Sequence, residues 1–221
     1  MEYEYHWSIV FDKMPELLSA AFVTLHVSIL SMLLGIIIAV FLALGKMSEL
    51  KILNYLSGIW IEIARNTPAL FQIYMGYFGL GALGIHLSPY VAVLSALVFI
   101  NSGYLAETFR GGFQSIAKTQ YSASKSLGMT KFQVYRYIIL PQMFRKIHHP
   151  MTNQFVWAIL MSSLGILVGM GELSGETQRL QSLSFRTLEF FTVAAVMYYI
   201  ITKFVLITAD QISKRLFKGD I

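Results

Sequence analysis

Five long stretches of this chain contain very few charged residues, and they constrain its fold more than any other feature. The longest, 17–44, is interrupted only by His26. A helix needs about 20 apolar residues to cross a bilayer core about 30 Å thick. The sequence therefore predicts an all-α membrane protein with five transmembrane helices, at about 17–44, 54–84, 91–109, 151–170 and 190–209.

The charged residues are scarce and collect between these stretches. They make up 13% of the chain, against about 25% in a typical soluble domain. No cleavable signal peptide is recognised, so we expect the apolar segments to remain in the mature protein. The chain has no cysteine, which excludes disulfides and thiol chemistry. The net charge is +5. In a membrane protein such an excess reflects which loops carry the basic residues, so no nucleic-acid partner is expected.

The distribution of lysine and arginine predicts the orientation in the membrane. Cytoplasmic loops of membrane proteins carry an excess of these residues. With five spans, one side holds only Lys13, Arg179 and Arg186. The other side holds the larger set: Lys46, Lys51, Arg65, Arg110, Lys118, Lys125, Lys131, Arg136, Arg145, Lys146, Lys214, Arg215 and Lys218. We therefore expect the N-terminus outside the cell and the C-terminus in the cytoplasm.

The loop at 111–141 is predicted to contain two short helices. Residues 117–128 have a helical composition and end in Gly128, a glycine stop signal. A second amphipathic segment follows, with Thr130 as its expected cap and Pro141 as its expected end. Phe132, Val134, Tyr135, Ile138 and Ile139 are its predicted apolar face. The periodicity alone fits a docking element and an amphipathic loop lying on the lipid headgroups equally well.

Charged side chains near the predicted spans need partners, because burying a charge at mid-membrane costs at least about 2.5 kcal/mol. Glu107 is expected to pair with Arg65 or Arg110, as a structural ion pair or as part of a gate. Lys203 lies deeper, in the fifth span. Its length allows some snorkelling, but a polar partner or a cavity is the preferred expectation.

The predicted fourth span carries the candidates for contact with a transported ligand. Asn153, Gln154, Ser162 and Ser163 have amide and hydroxyl groups that can hydrogen-bond an amino acid's carboxylate and ammonium. Hydrogen bonds between helices are the alternative role. No metal site and no catalytic set are expected. The chain also lacks a Gly-x4-Gly-Lys-(Ser/Thr) phosphate loop, so it is not itself an ATPase.

Several motifs resemble one family of transporters. The spacing Ala123, Gly128, Ile138-x-Leu140-Pro141 is similar to the EAA loop of ABC importer permeases, EAA-x3-G-x9-I-x-L-P. The segments RNTPALFQIY at 65–74, YLAETFRGGFQSIAKTQ at 104–120 and TNQF at 152–155 resemble permease subunits of polar amino-acid importers of the histidine, glutamine and arginine type. The resemblance extends over about 20–215.

The resemblance implies a mechanism and a set of partners. Two permease subunits form a core of two five-helix bundles, the type I ABC importer fold, in the bacterial cytoplasmic membrane. A cytoplasmic ATPase dimer binds ATP and Mg²⁺, whereas the permease binds no cofactor. A periplasmic or lipid-anchored binding protein delivers the amino acid to the outer face, here the loop 172–189. The coupling loop contacts the ATPase, here through Lys118, Tyr121, Ser122, Ala123, Ser124, Lys125, Leu127 and Gly128.

Two departures from the family pattern change these expectations. Ser122 replaces the Glu of the EAA motif and Ser124 replaces its last Ala, so the contacts with the ATPase differ in detail. Leu160 and Met161 stand where many relatives have Lys and Asp in the substrate path. We therefore expect a heterodimer, rather than a homodimer, in which a second permease supplies the charged contacts. A secondary transporter and a membrane scaffold without transport activity remain the alternative functions.

Overall fold

A computed structural model describes residues 3–216, and they form helices joined by short connections. Glu2 and Lys218 lie outside these residues, although Lys218 belongs to the basic set counted above. In chain order the helices are α1 (Trp7–Asp12), α2 (Met14–Lys46), α3 (Lys51–Asn66), α4 (Ala69–Tyr74), a π-helical turn (Met75–Gly79), α5 (Leu80–Ala82), α6 (Pro89–Gln114), α7 (Lys118–Ser126), α8 (Lys131–Val134), a second π-helical turn (Tyr135–Ile139), α9 (Leu140–Met161), a 3₁₀ segment (Ser162–Val168), α10 (Leu173–Ser184) and α11 (Thr187–Leu216).

Within residues 3–216, four helical stretches are long and apolar enough to cross a membrane. They are Met14–Lys46, Pro89–Gln114, Lys131–Val168 and Thr187–Leu216. They include the first, third and fifth predicted spans and all but the last two residues of the fourth.

The second predicted span, 54–84, is not one helix. It is broken between α3 and α4, where Thr67 and Pro68 are extended, with ψ of 138° and 139°. Proline lacks a backbone N–H, and its ring disfavours a helical conformation in the preceding residue. The expectation of a continuous helix through this position was therefore wrong.

The centre of the bundle depends on close contact between α2 and α6. A Cβ atom at Gly35 of α2 would lie 2.8 Å from the Cβ of Asn101 on α6. On another side of α6, a Cβ at Gly103 would lie 2.6 Å from the Cβ of Ala64 on α3. Because lipid tails are as apolar as side chains, membrane helices associate through such close packing of small residues. These glycines set how near the three helices lie.

Pro141 does not end the second amphipathic segment, and that prediction was wrong. The helix that starts at Lys131 continues through a π-helical turn into α9, with Pro141 in its first turn. A proline leaves one carbonyl of the preceding turn without its usual N–H donor. The wider turn accommodates the ring, and the Gln142 Nε2 donates to the Ile138 carbonyl over 2.9 Å.

The end of the bundle formed by α10 is organised around a buried carboxylate. Glu172, at the start of α10, accepts hydrogen bonds from the Gly175 N–H (2.8 Å), the Tyr198 hydroxyl (2.7 Å) and the Thr24 hydroxyl (3.3 Å). Burial raises the pKa of the Glu172 carboxyl, whereas the hydrogen bonds from these three residues lower it. One side chain therefore connects α2, α10 and α11.

The close approach at Gly103 is open to a direct test. We expect Gly103→Val to lower the unfolding free energy by about 1–3 kcal/mol, because the added methyl groups would push α3 away from α6. The measurement is the temperature of half-unfolding in detergent, followed by size exclusion. Gly111→Ala is the matched control, since Gly111 is in the same helix with nothing within 4 Å of an added Cβ. It should leave stability unchanged or raise it by up to about 1 kcal/mol. Equal unfolding temperatures for the two variants would contradict the prediction.

Candidate functional site

The segment between α6 and α9 folds as a helix, a glycine turn and a second helix. α7 ends at Ser126, and Gly128 follows with φ of +78°. This left-handed conformation favours glycine, which has no Cβ to clash. Thr130 then caps α8, with its hydroxyl accepting from the Gln133 N–H while the Gln133 side chain accepts from the Thr130 N–H. The predicted turn and the predicted cap are both confirmed.

This segment has a small apolar core of its own. Ile116, Val134 and Ile139 are buried together, and Phe113, Tyr121 and Met129 pack against them. The Tyr121 ring lies 6.5 Å from the Tyr135 ring. Because α7 is held against the π-helical turn by this core, the segment is a packed unit attached to the start of the long helix.

The predicted ATPase-contact residues divide between two faces of this unit. Lys118, Ser122, Ala123, Lys125, Leu127 and Gly128 are exposed. Ser124 is buried, and its hydroxyl donates to the Gln120 carbonyl over 2.7 Å. Ser124 therefore shapes the unit from inside, whereas Tyr121 packs on the small core and is also partly exposed.

Phe132 was predicted to lie on the apolar face, and the structure corrects this. It is 73% exposed, whereas Val134 and Ile139 are buried. The π-helical turn changes the helical spacing after Val134, so a face drawn with the regular α-helical period fails here. Leu127 is also highly exposed, at 82%. Leu127 and Phe132 are thus large apolar side chains that the rest of this unit leaves uncovered.

Glu107 pairs with both of its predicted partners. The Arg110 Nε and Nη2 donate to its two carboxylate oxygens over 2.9 and 2.6 Å. The Arg65 Nη1 lies 3.7 Å from the Glu107 Oε2. The two-pronged contact between Arg110 and Glu107 has the geometry of a strong charge-assisted hydrogen bond. The cluster links α3 to α6.

A cavity of about 300 Å³ lies beside this cluster, at the break between α3 and α4. The Arg65 guanidinium is 5.4 Å from the centre of the Tyr104 ring, and that ring is 6.1 Å from the ring of Trp157. The lining residues are Ala64, Arg65, Asn66, Thr67, Pro68, Ala69, Ile100, Tyr104 and Trp157. A cationic group, two aromatic rings and the polar groups at the helix break therefore converge on one opening.

The four candidates for ligand contact do not lie together. Asn153 is exposed, and by helical spacing it shares a face of α9 with Trp157. Gln154 points to the core, where its Nε2 donates to the Asn101 Oδ1 over 2.9 Å. Ser162 is fully buried and donates to a backbone carbonyl, and Ser163 is partly exposed and also donates to one.

Sequence reasoning overlooked three residues. Asn101 is fully buried and connects Gln154 to the Ser31 hydroxyl, to which its Nδ2 donates over 3.1 Å. A polar residue inside an apolar span was the available signal. Tyr104 and Trp157 line the cavity, but aromatic residues are common in such spans, so their sequence gave no comparable signal.

Comparison with known proteins identifies the family. Residues 31–218 match the model of the family described as binding-protein-dependent transport system inner membrane component. The chain belongs to this family. It is therefore the membrane permease of an ABC importer, and ATP is bound and hydrolysed by a partner ATPase.

Relatives of known function or structure agree with this assignment. The permease is 31% identical to the glutamine transport system permease protein GlnP of Escherichia coli K12, over 90% of this chain and 92% of the relative. It is 30% identical to the L-cystine transport system permease protein TcyL of Bacillus subtilis 168, over 90% and 86%. A crystal structure of an amino acid ABC transporter matches with a TM-score of 0.90 and 29% identity, covering 96% of this chain and all of that chain. The methionine transporter MetNI, at 18% identity and a TM-score of 0.74, shares the fold.

The predicted family and function are thereby confirmed. The permease is a multi-pass inner-membrane protein of an importer for amino acids, which works with an ATPase and a binding protein. Across residues 3–216, no cluster of three or more histidine, aspartate or glutamate side chains is arranged to hold a metal.

The charge cluster generates a prediction. We expect Glu107→Gln to lower the unfolding free energy by about 1–3 kcal/mol, because Arg65 and Arg110 would lose their shared carboxylate. Thermal unfolding in detergent measures this. Glu176→Gln is the control, since it breaks an ion pair with Arg179, whose side chain is 55% exposed, and should cost less than about 1 kcal/mol.

Uptake measured on the same Glu107→Gln protein separates the two roles that the sequence left open. A loss of stability with a matching loss of uptake indicates a structural ion pair. Unchanged stability with loss of uptake would show that the cluster acts as part of a gate.

Proposed function

We propose that the permease crosses the membrane five times, with its N-terminus outside and its C-terminus in the cytoplasm, as half of a type I ABC importer core. The second of these crossings, which is not a single long helix, is formed by α3 together with α4 and α5. These 32 positions from Lys51 to Ala82 are long enough to span a bilayer even with a break, at about 1.5 Å per helical residue.

The basic residues support this crossing. If α3 to α5 cross as one span, then Lys46, Lys51, the coupling segment and the end of α11 are all on one side. If they do not cross, the basic coupling segment is on the side opposite Lys46 and Lys51, against the tendency of lysine and arginine to collect in the cytoplasm.

The exposed face of α7 is the proposed contact with the ATPase. The observation that carries this is the packed unit at the start of a long helix, with Leu127 and Phe132 left uncovered. Exposed apolar patches on segments outside the membrane mark interaction surfaces, and a rigid unit transmits a rigid-body displacement of the ATPase. Lys118, Ser122, Ala123, Lys125 and Gly128 lie on the same unit and complete the proposed surface.

The substrate path is proposed to follow the face of α9 that carries Asn153 and Trp157, beside the cavity at Arg65 and Tyr104. The carboxylate and ammonium of an amino acid match the guanidinium, the amide and the aromatic rings at this opening. Ser163 is a further candidate along this path. Gln154 is proposed to hold α9 against α6 through its bond to Asn101, whereas the buried Ser162 bonds to a carbonyl of its own helix and is proposed to have a structural role.

The partner permease is proposed to be a different chain. Leu160 is exposed and apolar at the position where many relatives carry a charge. A path lined only by this side chain and its symmetric copy would lack the charged pair. A second permease with that pair intact would supply the missing contacts.

The coupling surface can be tested with one exposed residue. We expect Leu127→Glu to reduce co-purification of the ATPase and ATP-dependent amino-acid uptake about tenfold or more, since a charge in the centre of an apolar contact is costly. Leu183→Glu is the control, because Leu183 is 70% exposed but lies at the end of α10. It should leave ATPase co-purification unchanged. Normal ATPase binding by Leu127→Glu would refute the proposed surface.

The proposed pairing with a different permease can be tested by measuring uptake. We expect little uptake from vesicles that contain this permease, the ATPase and the binding protein, and full uptake when the second permease is co-expressed. Vesicles with the second permease as the sole permease are the control. Efficient uptake by this permease without the second one would show that a homodimer is sufficient.

A further inference from the structure

Lys203 presents a charge in the middle of a membrane-spanning helix. It lies sixteen residues after the start of α11 and thirteen before its end, which is about 24 Å and about 20 Å along the helix. The predicted span 190–209 is centred at Tyr199, one helical turn before Lys203, so Lys203 lies in its inner half. An ammonium group at such a depth costs at least about 2.5 kcal/mol if lipid surrounds it.

The side chain points toward the centre of the bilayer. The Nζ lies 5.6 Å from the centre of the Tyr199 ring, one turn earlier in α11. Side chains on a helix lean toward its N-terminus, so snorkelling to the nearer end of the span at Ala209, six residues or about 9 Å away, runs against the natural direction of this side chain. The ammonium therefore stays at depth.

This chain does not neutralise that charge. Among residues 3–216, no carboxylate lies within 4 Å of the Lys203 Nζ, and the side chain is exposed. The contact with the Tyr199 ring contributes about 0.5–2 kcal/mol. That is less than the cost of facing lipid, so the charge needs an acidic partner from outside the chain.

The surrounding face of α11 is also uncovered. Tyr199 is 63% exposed. Only 11% of the most apolar stretch of α11 is buried within this chain, against 61% for α6. The residues of α11 that pack on its own bundle, such as Phe190, Ala194, Thr202 and Val205, are a separate set.

We propose that the face of α11 carrying Tyr199 and Lys203 binds the second permease subunit, a different chain with an aspartate or glutamate at the same depth. This inference rests on the proposed pairing with a different permease. A two-fold contact between identical copies centred on this face would bring two Lys203 side chains together, and like charges at mid-membrane repel. Charge complementarity therefore selects a different, carboxylate-bearing helix.

A photo-crosslinking experiment identifies the occupant. The residue p-benzoylphenylalanine replaces Tyr199 in membranes that contain the full transporter. We expect an adduct with the second permease. The control is the same replacement at Phe204, which is 69% exposed but about 140° around the helix from Tyr199, where we expect no adduct with that subunit. An adduct from position 199 only with lipid, with a second copy of this chain or with the ATPase would overturn the proposal.

A charge experiment tests the acidic partner. We expect Lys203→Met to reduce recovery of the second permease about tenfold, because its carboxylate would be left unpaired in the membrane, and Lys203→Arg to restore it. Lys214→Met is the control, since Lys214 pairs with Asp210 over 2.7 Å at the end of the same helix. The Met variant inserts at least as well as the natural chain. Undiminished recovery of the second permease by Lys203→Met would overturn the proposal.

Uptake by the unmodified transporter in the same membranes distinguishes the proposed surface at Lys203 from the proposed pairing with a different permease. Uptake without the expected adduct refutes only the surface at Lys203. Uptake that needs no second permease refutes the pairing itself.

Discussion

The short distance between α2 and α6 is the constraint on which the rest of the bundle depends. In a bilayer the hydrophobic effect does not bring helices together, so their association comes from close packing and from hydrogen bonds between them. Gly35 provides the room opposite Asn101. Only at that spacing can Asn101 reach Ser31 on α2 and also accept from Gln154 on α9. One glycine therefore determines the position of the helix that carries the candidate substrate path.

Two carboxylates connect further helices to this central pair. Glu107 connects α3 to α6, and Glu172 connects α10 to α2 and α11. Arg65, a partner of Glu107, lies beside the break between α3 and α4, and Glu172 caps the start of α10. The loop 172–189 was expected to meet the binding protein, but the structure shows Glu172 and Glu189 fully buried. Exposed side chains in this region, among them Arg179, Leu183 and Phe185, are available to another protein.

The sequence predicted the features that depend on composition or on one residue. The apolar stretches, the turn at Gly128 and the cap at Thr130 follow from local chemistry. The predictions failed where the outcome depends on contacts with other parts of the chain. Proline was expected to end a helix at Pro141, but the helix continues because the wider π-helical turn before it makes room for the proline ring. Pro68, lacking such support, breaks its helix. Gln154 was a ligand candidate because its partner Asn101 is 53 positions away in sequence.

The continuity of the helix at Lys131–Val168 has a geometric consequence. Its 38 residues are about 57 Å long at 1.5 Å per residue. The packed unit formed with α7 lies at one end, and Asn153 and Trp157 lie beyond the midpoint. A tilt of about 5° about one end would displace the other by about 5 Å. In the proposed orientation, a small angular change at the cytoplasmic end is amplified with distance, so this permease would need no separate linkage to alter the width of an opening deep in the bilayer.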